Sequence, residues 1–415
     1  MEEELIVKDH IATMATIRKS QSNGGSSTTR LQMSAAAVAS NEDLLREILT
    51  RLPVRPLVRL KVVCKQWCFL ISDPEFSISH ARRNHRSNGL LLKGLNQAPG
   101  LSLVPLEGYQ PPRVLPFNFL NKRGTNVLDS CKGLLCYYSM ADLHNPMLIS
   151  YYVCHLASGD STRIGVFDVL STIHVRVVIV SFDPSKSVHY KVILIHQISS
   201  SSSNFLLKID IYSSVTQSWK PAKVVTVPYD AGFNNEAVYM NGAIYWYDRT
   251  QKAVWYLDLD AECLDRVPEL KDWLKISSVK YFGESSGNLH LIATCRLQTM
   301  LLTIYEMKQD RSGWFVKYHC DLHVLADAFP RILRAHYDNL HVYHPLCLLE
   351  GETQEEATLV LVVPGEVISY NLKTNAFKTL CRSRMIGVLY KWNGANEWET
   401  LGIKTYQYLE TLARI

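Results

Sequence analysis

A pattern that recurs five times after residue 150 constrains the fold of most of this 415-residue chain. Each copy has an apolar or aromatic run, a polar turn and a second apolar or aromatic run. One tyrosine marks each copy, with steps of 60, 44, 49 and 65 residues between Tyr152, Tyr212, Tyr256, Tyr305 and Tyr370. Blades of a β-propeller repeat at about 40–50 residues, and insertions lengthen some of their loops. The pattern therefore favours a propeller over a β-sandwich, without indicating the number of blades.

Short runs of β-branched and aromatic residues dominate the chain from Ser87 onward. Examples between turn signals are residues 175–180, 190–195, 243–246 and 358–363. Many short strands at close spacing are typical of a sandwich, a barrel or a propeller. We therefore expect residues 87–415 to form one large all-β, propeller-like domain.

Residues 41–76 have the different periodicity of α-helices. Spacings of one, three and four place one apolar stripe on a first helix, formed by Leu44, Leu45, Ile48, Leu49 and Leu52. Pro53 cannot continue that helix, and Pro56 suits the first position of the next one. A segment this short is unable to bury a self-sufficient core, so its apolar faces need a partner.

A second apolar series follows at steps of three and four, formed by Leu57, Leu60, Cys64, Trp67 and Ile71. This spacing predicts a second helical stretch, broken near Val62 and Val63 and ended by Asp73-Pro74. Cys64 and Cys68 share a helix face in this stretch. They are expected to be small buried hydrophobes.

The helical segment resembles an F-box, the module that docks onto the Skp-family adaptor of cullin–RING ubiquitin ligases. The matching residues are Leu44, Ile48, Leu49, Leu52-Pro53, Leu57, the Val63-Cys64-Lys65 run, Trp67, and Leu70-Ile71 leading to Asp73-Pro74-Glu75-Phe76. The family usually opens with a Leu-Pro pair ahead of the first helix, where this chain has Ala39-Ser40. Four later segments are similar to the F-box-associated region of plant F-box proteins, namely residues 129–136, 151–159, 238–246 and 312–318.

The resemblance implies an α+β multidomain protein, in which a small N-terminal all-α F-box module precedes a large all-β, propeller-like domain. The F-box is expected at residues 41–86 and the F-box-associated, substrate-recognition domain at residues 87–415. Residues 1–40 are rich in Ser, Gly and Ala and have little apolar surface to offset chain entropy. We expect them to be a disordered leader.

The resemblance also implies a function, that of the substrate-recognition subunit of an SCF-type (Skp–cullin–F-box) ubiquitin ligase. The F-box would dock the Skp-family adaptor and, through it, the cullin–RING ligase. The β domain would hold a protein substrate of unknown identity, which is then ubiquitinated and degraded by the proteasome. The residues expected to dock the adaptor or to support docking directly are Leu52, Pro53, Leu57, Cys64 and Trp67, with Trp67 the most internal of them. The alternatives are an F-box scaffold or co-regulator acting outside a ligase, and a hydrolase built on a propeller.

Residues 283–287 match the G-x-S-x-G pattern, which in hydrolases exposes a nucleophilic serine on a strand-to-helix turn. The flanking residues instead read as strand, turn and strand, so a polar turn explains Ser285. His319 and His323 are four apart, which brings two ligands together on a helix but not on a strand, and the preceding residues read as strand. We therefore expect no catalytic residue, no metal site and no cofactor, and we expect the chain to be a non-catalytic adaptor subunit.

The net charge of +5 is small for this length and argues against a nucleic-acid-binding protein. Ten cysteines are scattered without a C-x-x-C pair, which is typical of reduced thiols in the cytoplasm or nucleus. The first residues lack the basic-then-apolar order of a signal peptide, and no apolar run is long enough to span a bilayer. We expect a cytoplasmic or nuclear protein that binds neither nucleic acid nor membranes.

Overall fold

The computed structural model describes residues 41–84, 87–93, 101–106, 108–109, 111, 120, 124–140, 148–168, 175–200, 204–228, 237–261, 263–270, 276–295, 298–332, 343–351, 356–382, 390–392, 398–400 and 404–412. The chain divides into two compact units, residues 1–85 and 86–415. The expected leader, residues 1–40, lies outside the described residues. No helix in the described ranges has both the length and the apolarity that crossing a membrane requires.

The described part of the first unit consists of four helices, α1 (Glu42–Leu49), α2 (Val54–Leu60), α3 (Lys65–Ile71) and α4 (Pro74–Arg83). The expected break near Val62 and Val63 separates α2 from α3. Pro56 is the third residue of α2 rather than its first. A proline is tolerated there because the N–H groups of the first helical turn have no partner within the helix.

The second unit contains, in its described residues, six antiparallel sheets of three or four strands and one separate hairpin. Blade I comprises β3 (Thr125–Cys131), β4 (Leu134–Ser139), β5 (Leu148–His155) and β6 (Ser161–Asp168). Blade II comprises β7 (Val175–Ser181), β8 (Lys191–Ser200), β9 (Asn204–Ser213) and β10 (Ser218–Pro228). Blade III comprises β11 (Val238–Met240), β12 (Ala243–Asp248), β13 (Ala253–Asp258) and β14 (Cys263–Arg266).

The remaining sheets are blades IV, V and VI and the separate hairpin. Blade IV comprises β15 (Ile276–Ser285), β16 (Asn288–Cys295), β17 (Gln298–Met307) and β18 (Trp314–Asp321). Blade V comprises β19 (His344–Leu349), β20 (Thr358–Val363), β21 (Glu366–Asn371) and β22 (Phe377–Arg382), and it is preceded by α5 (His323–Ala328) and the 3₁₀ helix Pro330–Ile332. Blade VI comprises β2 (Leu101–Pro105), β1 (Gly89–Lys93) and β25 (Lys404–Tyr408), and the hairpin is β23 (Tyr390–Trp392) with β24 (Trp398–Thr400).

Neighbouring blades share apolar cores, and these cores close a ring. Buried side chains join blade I to II, II to III, III to IV, IV to V, V to VI and VI back to I. The first strands of blades I to V also lie side by side in sequence, and β25 of blade VI lies beside β3 of blade I. The second unit is therefore a six-bladed β-propeller.

The second strand of a blade shows why the sequence contains unbroken apolar runs. Along β8, Val192 and Leu194 pack against blade I, whereas Ile193 and Ile195 pack against blade III. Successive side chains of a strand point to opposite faces, and in a propeller blade both faces are covered. The run 358–363 has the same explanation, because β20 faces blade IV with one set of residues and blade VI with the other.

The five tyrosine markers lie on the same strand of five consecutive blades. Each lies on the third strand of its blade, on β5, β9, β13, β17 and β21 in blades I to V. The recurrence in the sequence thus reports the true repeat of the fold. The longest step, between Tyr305 and Tyr370, spans the insertion that carries α5 and the 3₁₀ helix.

The C-terminal strand closes the ring by pairing with the N-terminal strand of the propeller. β25 pairs antiparallel with β1, and the hydroxyls of Tyr109 and Tyr408 donate to Glu410 Oε1 at 2.6 and 2.9 Å. The Asn88 side chain accepts a hydrogen bond from the Glu410 N–H at 2.9 Å. Gly133, at φ +95°, lies so close to this segment that a Cβ would come within 2.8 Å of the Leu409 carbonyl oxygen. Residues far apart in sequence therefore fasten the two ends of the propeller.

The α+β class expected for the whole chain is wrong. In that class helices pack with an antiparallel sheet around a shared core. Here α1–α4 belong to the unit of residues 1–85, and the sheets belong to the unit of residues 86–415. The described chain has N-terminal helices between residues 42 and 83 followed by a six-bladed propeller, and its secondary structure is mostly β.

Candidate functional site

The first helix divides its apolar residues between an inner and an outer face. The Asn41 side chain caps α1 by accepting a hydrogen bond from the Leu44 N–H at 3.2 Å, a contact that stabilises a helix by about 1 kcal/mol. Leu45 and Leu49 are buried, whereas Leu44 and Ile48 are exposed. Because residues four apart lie on one face of a helix, Leu44 and Ile48 form a single outward apolar strip.

The turn between α1 and α2, which carries Leu52 and Pro53, is fastened by α4. The buried His80 donates from Nε2 to the Leu52 carbonyl oxygen at 2.8 Å. The Asn84 side-chain amide donates to the Thr50 carbonyl oxygen at 3.0 Å. Burial lowers the pKa of His80 below its ordinary value of 6.5, because the charged imidazolium is poorly solvated there.

The lowered pKa of His80 predicts that the stability of this turn depends on pH. Unfolding the helices lets His80 bind a proton at its ordinary pKa of 6.5, so their stability falls as the pH drops below that value. The loss is at most about 1.4 kcal/mol per pH unit for one proton. We expect hydrogen exchange of residues 50–57 to accelerate between pH 6.5 and 5 beyond the intrinsic pH effect. A His80→Gln variant keeps a donor without a titrating ring and should lack this acceleration; an unchanged profile in that variant would contradict the assignment to His80.

The five residues predicted for adaptor docking divide between the surface and the core. Pro53 is exposed and Leu52 is half-buried. Leu57 and Trp67 are buried, so they act as the support of the helices rather than as surface contacts. Cys64 is half-buried and caps α3, where its Sγ accepts from the Trp67 N–H at 3.5 Å. The structure thus places the five residues along one segment without bringing all of them to one surface.

The expectation that Cys64 and Cys68 are buried is wrong. Cys64 is half-buried and Cys68 is exposed. The reason is that Cys64 precedes α3 and adopts extended backbone angles, so the helical spacing does not continue through it. The buried face of α3 is formed instead by Trp67, Leu70 and Ile71.

Six large apolar side chains are exposed on α1–α3 and the turn that follows α2. We call this set the exposed apolar set, and it comprises Leu44, Ile48, Val58, Val62, Val63 and Phe69. Val62 and Phe69 expose 88% and 78% of their surface. The described propeller residues, although far more numerous, contain only nine such side chains. These exposed apolar side chains are the candidates for contact with a partner protein.

Four members of this set were named as part of the periodic pattern or as a helix break, but none was predicted to dock. Phe69 and Val58 lie outside both apolar stripes of the sequence. The sequence did contain a signal for Phe69, because a large aromatic residue outside the apolar stripe of a short amphipathic helix faces solvent. Periodicity alone does not separate such a residue from one that packs against a neighbouring helix.

Charged residues connect α1 with α4 and with Asp73, the residue that caps α4. Arg46 forms ion pairs with Glu42 at 3.1 Å and with Asp73 at 2.9 Å, and Arg83 pairs with Glu47 at 3.2 Å. The Arg46 guanidinium contributes to holding the pKa of the Asp73 carboxyl below its usual value, although burial opposes this. An open cleft of about 470 Å³ between these helices is lined largely by charged side chains. It is thus chemically distinct from the exposed apolar set.

Ser285 lies in the strand–turn–strand context that the sequence predicts. It ends β15 and pairs with Asn288, which begins β16, and Ser286 and Gly287 form the turn with φ of +51° and +81°. Two successive positive φ values are typical of a two-residue hairpin turn. Ser285 itself is buried, so this G-x-S-x-G match is a hairpin and not a nucleophile elbow.

His319 and His323 do not converge. His319 lies on β18, while His323 begins α5 and pairs with Asp321 at 2.6 Å on the surface. In the part of the chain that the structure describes, one group of residues has three possible metal-ligating atoms within 4.8 Å of one another, and it consists of His290, Glu306 and Glu350. These residues are separated by 16 and 44 positions, a spacing that no local motif indicates.

The model of the KIB1-4 beta-propeller family matches residues 108–321, and the model of the F-box domain matches residues 41–79. The propeller match alone spans more than half of the chain. The chain is a plant F-box protein of the KIB1-4 β-propeller family. The F-box match covers α1–α3 and the beginning of α4, and so it includes all five residues predicted to dock or to support docking. The propeller match covers blades I–IV.

Relatives of this F-box protein occur in Arabidopsis thaliana. F-box protein At5g07610 is 27% identical over 96% of both chains. F-box protein At5g49610 is 22% identical over 86% of this chain and 96% of its own length. F-box/kelch-repeat protein At3g23880 is 24% identical over 61% of this chain and 72% of its own length.

Proposed function

We propose that this F-box protein is the substrate-recognition subunit of an SCF-type ubiquitin ligase. The F-box, over residues 41–86, docks the Skp-family adaptor, and the propeller, over residues 87–415, holds a protein substrate. The observation that carries the proposal is the exposed apolar set on the helices of the F-box. Covering such a surface with a partner removes apolar area from water, which contributes about 25 cal/mol per Å².

The docking contacts are assigned to the exposed apolar set together with Pro53 and Leu52 on the turn that α4 fastens. Phe69 and Val62, the most exposed members, are the principal anchors, because large side chains that become fully covered dominate interface energies. Leu57 and Trp67 support this surface from below, and Cys64 caps the helix that carries Phe69. This division keeps the five predicted residues in one functional segment but gives them different roles.

Substrate recognition is assigned to the connections between the propeller strands. The blades form a rigid scaffold because each is covered on both faces by its neighbours, and recognition usually lies in the loops of such a scaffold. Many of the longer connections, including residues 94–100, 141–147, 229–236 and 383–389, lie outside the described residues. The assignment therefore rests on the architecture and on the F-box family.

In the proposed mechanism, this chain connects substrate and ligase and performs no chemical step itself. A substrate held on the propeller and a ubiquitin carrier held by the ligase react as if at high effective concentration. Ubiquitin transfer takes place on other subunits, so this chain acts as a non-catalytic adaptor. We place it in the cytoplasm or nucleus, since all ten cysteines are free thiols and reduced thiols are typical of those compartments.

The test is reconstitution with a Skp-family adaptor, a cullin–RING scaffold, the ubiquitin-charging enzymes and the full-length chain. We expect the adaptor, the cullin–RING scaffold and the chain to co-elute in size-exclusion chromatography. We also expect ubiquitin to appear on proteins captured from plant extract by the chain, and much less when the adaptor is left out. A chain with the exposed apolar set substituted by polar residues serves as the matched control, because its propeller is unchanged.

Two outcomes contradict the ligase role. Adaptor binding without cullin co-elution and without ubiquitin transfer would favour a scaffold acting outside a ligase. Absence of adaptor binding by a folded chain would contradict the docking assignment itself.

A further inference from the structure

Three side chains with metal-binding atoms converge where blades IV and V meet. His290 lies on β16, Glu306 on β17, and Glu350 directly follows β19. His290 Nε2 is 2.8 Å from Glu306 Oε2 and 3.8 Å from Glu350 Oε1. His290 and Glu306 are cross-strand partners in the antiparallel register, which brings their side chains together on one face of the sheet. The fold, rather than any sequence motif, assembles this group.

Lys317 contributes a positively charged side chain to this group. Its Nζ ion-pairs with Glu306 Oε2 and Glu350 Oε1, both at 2.5 Å. The lysine lies on β18 at an irregularity, where residues 316 and 318 pair with consecutive residues of β17, and such bulges re-aim side chains. The side chain of His290 is fully buried, and Glu306, Glu350 and Lys317 expose only 12, 9 and 18%.

The charges of this group do not balance. Two carboxylates, those of Glu306 and Glu350, face the single ammonium of Lys317. The fixed charges of these three side chains sum to minus one in a largely buried place, and a divalent cation would compensate both carboxylates. Hydrogen bonding is also incomplete, because His290 Nδ1 is buried and has no hydrogen-bond partner.

We propose that His290, Glu306 and Glu350 form a binding site for a divalent transition metal, with Zn²⁺ as the best-matched ion. Imidazole nitrogen and carboxylate oxygen bind Zn²⁺ at about 2.0–2.2 Å, so the ligand atoms of a tetrahedral site lie roughly 3.3 Å apart. The observed separations of 2.8 and 3.8 Å bracket that value. A divalent ion replaces the single ammonium charge and neutralises both carboxylates. Glu350 Oε1 then exchanges its ion pair with Lys317 Nζ for a bond to the metal.

Lys317 is the residue that the metal displaces. It lies on the outermost strand of blade IV, and its four-carbon chain allows the ammonium to move to solvent while the stem stays on the protein. His290 coordinates through Nε2, with its proton on Nδ1. The metal thus joins strands of two adjacent blades, as the ion pairs do in its absence.

The experiment measures metal binding to the full-length chain, with Zn²⁺ alone and with Co²⁺ as a spectroscopic probe. The protein is first freed of metal by chelation, then equilibrated by dialysis, and the bound metal is quantified. We expect one ion per chain, and a loss of affinity of at least about tenfold in Glu306→Gln and in His290→Gln, since even residues that only orient metal ligands contribute that much. Lys317→Met removes the competing ammonium and should bind more tightly than wild type.

Blade II supplies matched controls. His196 lies 3.4 Å and Lys208 3.0 Å from Asp210, which gives a His–Asp–Lys group with a single carboxylate. His196→Gln and Lys208→Met should leave the binding of metal unchanged. Circular dichroism and thermal denaturation check that each variant is folded.

Three results would overturn the proposal. One is the absence of stoichiometric binding by folded wild-type protein. A second is binding that appears only in Lys317→Met, because the lysine is then the permanent cation of the native protein. The third is wild-type binding that persists in Glu306→Gln and His290→Gln, or a Co²⁺ spectrum with thiolate charge-transfer bands, either of which would locate the metal on cysteines or other residues.

Discussion

Phe69→Ala should weaken binding of the full-length chain to the Skp-family adaptor about 30-fold, which corresponds to roughly 2 kcal/mol for a buried interface anchor. The side chain exposes 78% of its surface in the free protein, so its removal leaves no cavity in the F-box. Exposed substitutions of this kind change folding stability by at most about 0.5 kcal/mol. Isothermal titration calorimetry with purified adaptor gives the affinity, and circular dichroism gives the helix content.

Phe315→Ala is the matched control for that measurement. Phe315 is also an exposed phenylalanine, but it lies on the outer strand of blade IV. Its substitution should leave adaptor affinity unchanged. Equal affinities for wild type and Phe69→Ala would contradict the assignment of Phe69 as an anchor.

In the same assay, Leu57→Ala distinguishes a residue that supports the F-box helices from one that contacts the adaptor. Leu57 is fully buried, and such a truncation costs about 2–5 kcal/mol of folding stability. We expect loss of adaptor binding together with loss of helix structure, in contrast to Phe69→Ala. The two variants thus distinguish the two roles that the sequence alone combined in one list of residues.

Tyr408→Ala should lower the free energy of unfolding of the propeller by about 3–5 kcal/mol. Tyr408 is fully buried on the C-terminal strand, and its hydroxyl donates to Glu410 at 2.9 Å. Its removal leaves a cavity where blades VI and I meet and takes one donor from a buried carboxylate. Truncation after residue 403 removes the whole strand, exposes the edge of β1, and should abolish cooperative unfolding of the propeller.

Chemical denaturation followed by far-ultraviolet circular dichroism and by calorimetry measures both effects. Tyr408→Phe keeps the ring and removes only the hydroxyl, so its loss should be smaller, near 1 kcal/mol. Phe315→Ala again serves as the surface control. A truncated chain that unfolds with wild-type stability would show that the ring does not depend on β25.

The repeat of the propeller could be predicted from the sequence because both its strands and its period are local. The five marker tyrosines all fall on third strands, and residues 192–195 read as a run because both faces of β8 are buried. The number of blades could not be predicted, since blade VI takes its strands from opposite ends of the region. β1 and β25 are more than 300 positions apart, and only the fold brings Asn88 and Glu410 within hydrogen-bond distance.

The F-box shows the limit of periodicity in short helices. Apolar spacing predicted where α1 lies, but it treated Leu44, Leu45, Ile48 and Leu49 as one stripe. The structure buries two of them and exposes the other two, because four short helices leave little room for a core. Likewise Cys64 was included in a helical series that the structure ends before α3. The His290 group could not be predicted from the sequence for a different reason, namely that its members come from two strands of blade IV and from the residue that follows β19 in blade V.

Hydrogen–deuterium exchange of the full-length protein, with and without the Skp-family adaptor, tests the central claim most directly. We predict that residues 42–71, which carry the exposed apolar set, gain protection when the adaptor binds. Strands β8 and β20 in the propeller core should exchange at the same rate in both states. Protection confined to the propeller, with residues 42–71 unchanged, would contradict the account.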